Sequence, residues 1–177
     1  MTEYELETLA VRAGQERSQF GEHSEALYLT SSFVFKSAAQ AAARFGNQEP
    51  GNIYSRFSNP TVTVFEQRLA AMEGAECCVA TASGMAAITA CVMGLLKSGD
   101  HIVCSSGVFG STVQLFGNIM KRFGLETTFV SGTAVEGFAA AVQKNTRMVY
   151  IETPSNPLTE VYDIVALAEA SRKAGAL

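Results

Sequence analysis

Four short stretches carry residue types suited to chemistry. At Ala82-Ser83-Gly84-Met85 an apolar run that begins at Cys77 gives way to Ser-Gly at the start of a helix of small residues. Backbone N–H groups at a helix start lack partners, and the helix dipole adds positive charge there. Ser83 contributes a hydroxyl and Gly84 permits close approach, so these residues have the make-up of a phosphate cradle; they also read as a plain helix cap. Phe109 lies on a loop between Gly107 and Gly110. Its ring either covers the face of a planar group or anchors the loop. Asn156 lies between Pro154 and Pro157, which stiffen the backbone and present its amide; an Asx turn is the alternative. Tyr54 and Arg56 alternate on a segment expected to be extended, so both side chains point one way. Together they suit a phosphate clamp, or simply a surface arm.

Other chemistry finds little support. The two histidines, His23 and His101, stand outside any H-E-x-x-H or G-x-S-x-G pattern. No metal site is expected. The four cysteines, Cys77, Cys78, Cys91 and Cys104, form no C-x-x-C and read as buried free thiols. Glu152 closes a strand and is either structural or orients other groups.

The elements that must position these loops alternate between strand and helix. Residues 1–60 read as an irregular arm with an extended piece near Tyr28–Ser37 and a helix near Ser37–Phe45, and such an arm is expected to pack on another subunit. Asn59 as cap, Pro60 at the first helical position and Gly74 at the end frame the next helix. Its residues Val62, Phe65, Leu69 and Met72 share one face and predict core packing. Strands are expected near 76–81, 101–105, 126–130 and 147–152, and helices near 84–96, 111–123, 134–143 and 164–174. Continuous apolar strands alternating with helices imply an α/β fold, a mostly parallel sheet sandwiched by helices. In such sheets ligands collect at the carboxyl ends of the strands, where Gly84, Phe109 and Asn156 lie.

The 177 residues suffice for one domain. Their net charge of −4, with no basic run, argues against nucleic acid. Apolar runs fall short of the ~20 residues a membrane span needs, and the acidic first residues lack the basic-then-apolar order expected of a signal peptide. A cytoplasmic location is the resulting expectation.

In combination, Tyr54–Thr61 (YSRFSNPT), Ala80–Ile88 (ATASGMAAI), Val108–Thr112 (VFGST) and Glu152–Ile164 (ETPSNPLTEVYDI) resemble the Cys/Met-metabolism family of pyridoxal-phosphate (PLP) enzymes. The resemblance implies an incomplete large domain of the aspartate-aminotransferase-like fold type I. It divides the chain into an arm, 1–60, that contacts a neighbouring subunit, and a partial PLP-binding domain, 61–177. It also implies roles. Tyr54 and Arg56 reach into a neighbouring subunit's site to hold the cofactor phosphate. Ser83, Gly84 and Met85 bind that phosphate locally. Phe109 stacks on the pyridine ring where many relatives carry Tyr. Asn156 lies near the cofactor's phenolic oxygen and the substrate carboxylate.

The family's nitrogen-pairing Asp and cofactor-bearing Lys would follow Leu177. The chain is therefore expected to be a fragment, inactive alone, with no catalytic residue to nominate. The implied full-length activity is γ-replacement on O-succinylhomoserine by sulfide to give homocysteine, in a homotetramer built as a dimer of dimers. A cystathionine-forming synthase, a γ-lyase, and a non-catalytic α/β module that binds a phosphorylated ligand stay open. An NAD-binding domain fits poorly, for want of G-x-G-x-x-G.

Overall fold

The computed structural model describes residues 4–177. The chain divides into two units between Ala80 and Thr81. In the first, α1 (Leu6–Arg12), α2 (Ala38–Phe45) and α3 (Pro60–Glu73) are joined by long irregular segments, and α1 packs on α3. Helix α1 lies within the arm expected to be irregular there. Ser37 caps α2 by accepting from the Gln40 N–H, and Asn59 caps α3 by accepting from the Thr61 N–H. Gly74, at φ 62°, closes α3 in a left-handed conformation that a side chain would strain. Arg68 ties the arm down, donating to the Ala13 carbonyl at 3.1 Å and to both Glu25 oxygens. Helix α3 and Arg68 belong to this first set of contacts.

Two expectations fail in this unit. The face of α3 carrying Val62, Phe65 and Met72 is exposed, and Ala70 is the buried residue of the helix. Residues 76–81 form no strand. A strand needs a neighbour to complete its ladder, and among the described residues none pairs with them; the Ala80 N–H goes instead to Glu66 Oε1 at 2.7 Å.

The second unit holds α4 (Gly84–Leu95), β1 (His101–Ser105), α5 (Gly110–Gln114), β2 (Glu126–Val130), α6 (Val135–Ala141), β3 (Thr146–Tyr150) and α7 (Ile164–Lys173). Helix α5 runs on through a π turn, Leu115–Ile119, and a 3₁₀ turn, Met120–Phe123, so the single helix read over 111–123 has three geometries. The strands are all parallel, in the order β2-β1-β3. Successive residues of β1 serve opposite faces. Ile102 and Cys104 join Val92, Phe116, Met120 and Met148 on one side. Val103 joins Phe138, Tyr162 and Leu167 on the other. Helices thus cover both faces, as the apolar strands require, and each large side chain buried this way contributes about 1.5–3 kcal/mol. After α7 the backbone returns to the sheet, where the Val149 N–H donates to the Leu177 carbonyl at 2.7 Å and the Leu177 N–H to the Arg147 carbonyl at 2.9 Å.

The expected cysteine burial holds only for Cys104; Cys77 and Cys91 are exposed and Cys78 is intermediate. Among the described residues no helix is long and apolar enough to cross a membrane.

Candidate functional site

The strand order itself selects a place for a ligand. From β1 the chain passes to β2 along the face of α5; from β3 it leaves along the face of α6 and α7, toward the opposite edge. The loops after β1 and β3 therefore diverge to opposite faces, and such a switch point opens a crevice at the carboxyl ends. The β1 loop carries Phe109, and the β3 loop carries Glu152 and Asn156.

Helix α4 begins beside Thr112 on the same unit, with the Thr112 hydroxyl 4.0 Å from Met85 Sδ. Ser83 caps it, accepting from the Ala86 N–H at 3.2 Å. That bond satisfies one of the orphan donors at the helix start. The N–H groups of Gly84 and Met85 have no acceptor among the described residues. Gly84 is exposed, and a Cβ there would meet no atom within 4 Å. Two free donors, the positive end of a 12-residue helix and open space above them fit an anion.

Phe109 is half exposed, so its ring is available as a flat platform rather than consumed as a core anchor. Its backbone N–H donates to Glu152 Oε2 at 2.9 Å. Asn156 is exposed, while its neighbour Ser155 is 2% exposed and holds the turn, accepting from the Glu160 N–H through Oγ at 3.0 Å. Beneath the two loops, Ser105 Oγ lies 2.5 Å from the Tyr162 hydroxyl and accepts from the Gly107 N–H at 2.9 Å. Gly107 lies in a tight place, where a side chain would press on three neighbours. A Cβ would sit 2.8 Å from Glu160 Oε2, 3.1 Å from Tyr162 Oη and 3.3 Å from Ser155 Cβ. Ser105, Gly107 and Tyr162 are not among the site residues expected from the sequence. Each is an ordinary strand or loop residue in sequence, and only the register of β1 beside β3 brings them together.

The first unit presents Tyr54 and Arg56. The chain turns here instead of running extended, with the Phe57 N–H donating to the Tyr54 carbonyl at 2.8 Å. The two side chains nevertheless meet: the Arg56 guanidinium carbon lies 5.4 Å from the Tyr54 ring centroid and 5.2 Å from that of Phe57. This is cation–π range. Arg56 forms no ion pair among the described residues, so its forked donors stay available to an anion. A hollow of ≈ 430 Å³ elsewhere in this unit is lined by Glu16, Glu22 and Glu25 against Arg17 alone, an acidic balance that suits phosphate poorly.

A free-donor helix start, a half-exposed aromatic and an exposed amide on one sheet end suit a flat, phosphorylated ring. The sequence profile of the Cys/Met metabolism PLP-dependent enzymes matches residues 7–177. The chain belongs to this family. Its members bind PLP, and the donor set at Gly84 and Met85 fits the phosphate of that cofactor. Over 172 residues the chain is 56% identical to the O-succinylhomoserine sulfhydrylase of Pseudomonas aeruginosa, covering 97% of this chain and 43% of that one. It is 43% identical to the L-methionine gamma-lyase of Fusobacterium nucleatum subsp. polymorphum, over 94% of this chain and 42% of the lyase. A Campylobacter jejuni crystal structure named for O-acetylhomoserine (thiol)-lyase superposes with a TM-score of 0.89 at 34% identity, over 99% of this chain and 43% of that one. It contains N'-pyridoxyl-lysine-5'-monophosphate. The chain thus spans less than half the length of these family members.

Proposed function

We propose that the full-length protein carrying this sequence is a PLP-dependent sulfhydrylase that replaces the succinyl group of O-succinylhomoserine with sulfide, yielding homocysteine for methionine synthesis. The observation that carries this reading is the 56% identity to a named O-succinylhomoserine sulfhydrylase across 97% of the chain. It rests on a strand-end crevice whose exposed groups suit the cofactor.

When bound, the cofactor supplies an electron sink for negative charge at the substrate's α and β carbons. The residues of this chain bind and orient. Gly84 and Met85 donate their N–H groups to the phosphate, with Ser83 holding the helix start in shape. Tyr54 and Arg56 bind the phosphate of a neighbouring subunit, which requires at least a dimer and accords with a tetramer of paired dimers. Phe109 stacks over the ring and keeps water from that face. Lacking a hydroxyl, it moves no proton. Asn156 donates from its amide to the phenolic oxygen and to the substrate carboxylate. The reacting lysine is supplied from outside residues 1–177, and no lysine among these residues takes that role. Substrates are a homoserine ester and sulfide, small anions met in the cytoplasm; neither nucleic acid nor membrane takes part.

The resemblance to a methionine γ-lyase, at 43% identity, favours elimination as the second reading. Supplying the full-length protein with PLP and O-succinylhomoserine, with and without sulfide, separates them. Homocysteine formed with sulfide supports the proposal. Dominant 2-oxobutyrate and ammonia in both arms supports the lyase, and cystathionine formed on adding cysteine supports the synthase.

A further inference from the structure

The loops after β1 and β3 are fastened at two points that the resemblance does not assign. At the outer point Glu152, two residues beyond Tyr150 and leaving the end of β3, turns its carboxylate back to the β1 loop and accepts from the Phe109 N–H at 2.9 Å. This N–H belongs to the residue just before α5, where the helix leaves it without an internal partner. At the inner point, Ser105 and Tyr162 are 0% and 3% exposed and share a 2.5 Å hydrogen bond. Ser105 Oγ also accepts from the Gly107 N–H, so the turn leading to Phe109 is held from below. Tyr162 is anchored in turn to the β3 loop, its N–H donating to Thr153 Oγ1 at 3.2 Å and its ring standing edge-on to Phe138. Buried hydroxyl pairs of this kind are costly to leave unmade and so hold their loops firmly.

We propose that Glu152 is a positioning residue: through the Phe109 N–H, and backed by the Ser105–Tyr162 pair, it fixes the height of the Phe109 ring over the crevice relative to Asn156. The inference rests on the cofactor reading above for its purpose, but the fastening itself exists without cofactor. What the Phe109 N–H requires is an acceptor oxygen, so Gln serves and Leu does not. The charge of Glu152 is not what holds the loop.

The test uses the full-length protein with Glu152→Gln, Glu152→Leu and Tyr162→Phe. Amide hydrogen exchange of a peptide spanning Gly107–Thr112, measured without PLP, reads the fastening directly. Exchange at the Phe109 amide is expected to quicken about tenfold or more in Glu152→Leu and to stay near wild type in Glu152→Gln. With PLP, Glu152→Leu is expected to bind about 5- to 10-fold more weakly and to show altered visible circular dichroism of the bound ring, while Glu152→Gln restores both. Tyr162→Phe is expected to shift the dichroism in the same sense. Unchanged exchange in Glu152→Leu overturns the proposal, as does equal loss in the Gln and Leu variants, which would make the charge decisive. A wild-type protein that binds no PLP sinks the proposed function, yet leaves the exchange experiment able to decide the role of Glu152.

Discussion

His101 Nδ1 lies 2.8 Å from the Thr146 hydroxyl, joining the first residue of β1 to the first of β3 at the sheet end opposite the crevice. The Gln143 amide lies 3.1 Å from Nε2 and the Thr128 hydroxyl 2.9 Å from it. With Gln143 and Thr128 donating, Nε2 must offer a lone pair, so the neutral ring with its proton on Nδ1 fits this cage. Burial lowers the pKa of His101, and the Glu126 carboxylate opposes the shift only in part. Above the unfolded value of about 6.5 both states are neutral and the group has no effect. As pH falls below that value, the unfolded chain takes up a proton before the folded one does, so stability drops until the folded pKa is passed. Denaturation midpoints at pH 7.5 and pH 5.5 should fall further for the wild type than for His101→Gln. Parallel losses in the two proteins would refute this account.

Replacement of Gly84 by Asp separates folding from cofactor binding. Space is open above Gly84, and a carboxylate in the first turn of α4 complements the dipole by about 0.3–1 kcal/mol. The same carboxylate repels a phosphate at that spot. The apo protein should be as stable as wild type or slightly more so, with PLP affinity down roughly tenfold or more, read by urea melts and by cofactor titration. Unaltered affinity would remove Gly84 from the phosphate site.

Asn59 governs the segment bearing Tyr54 and Arg56. It is 7% exposed, caps α3, and donates through Nδ2 to the Tyr28 carbonyl and to Ser55 Oγ, both at 3.0 Å. Asn59→Ala removes a cap worth about 1 kcal/mol and two hydrogen bonds worth about 1 kcal/mol each. A loss near 2–3 kcal/mol is expected from equilibrium unfolding, with the limited-proteolysis rate at residues 51–58 rising several-fold. Asn59→Ser keeps the cap and should recover about 1 kcal/mol.

Phe138 is 1% exposed and meets Tyr162 edge to face, with centroids 6.0 Å apart. Phe138→Ala leaves a cavity under the same tyrosine that steadies the β3 loop. The expected cost is about 3–5 kcal/mol, measured by urea unfolding, against roughly 1 kcal/mol for Phe138→Leu. A cost below 1 kcal/mol for the alanine variant would mean that this face is not the packed layer described.

What was legible in the sequence is what local chemistry decides. Asn59-Pro60 and Gly74 bound α3 because capping and left-handed closure need only near neighbours. The apolar run at 101–105 is a strand buried on both faces, and 126–130 pairs beside it with Val130 as its one buried residue. Ser83-Gly84 opened a helix with donors free, as its residue types require. Long-range decisions were not legible. Residues 76–81 have strand character, but a ladder depends on a neighbour that sequence periodicity does not name. The apolar stripe Val62, Phe65, Met72 has the right spacing for burial yet lies open. The turn at Tyr54–Phe57 replaced an extended segment, since the Tyr54 carbonyl takes two N–H donors from residues just ahead. The fastening of Phe109 joins residues 43 apart, with no local pattern to announce it.

The wide π turn at Leu115–Ile119 has a consequence of its own. Accommodating an additional residue in one coil offsets everything downstream by about 100° around the axis relative to an unbroken α-helix. Thr112 upstream and Met120 downstream are both buried, so the angular offset lets one rod face inward on either side of the break. Deleting a single residue there would rewind the rod, and the platform bearing Phe109 would rotate with it.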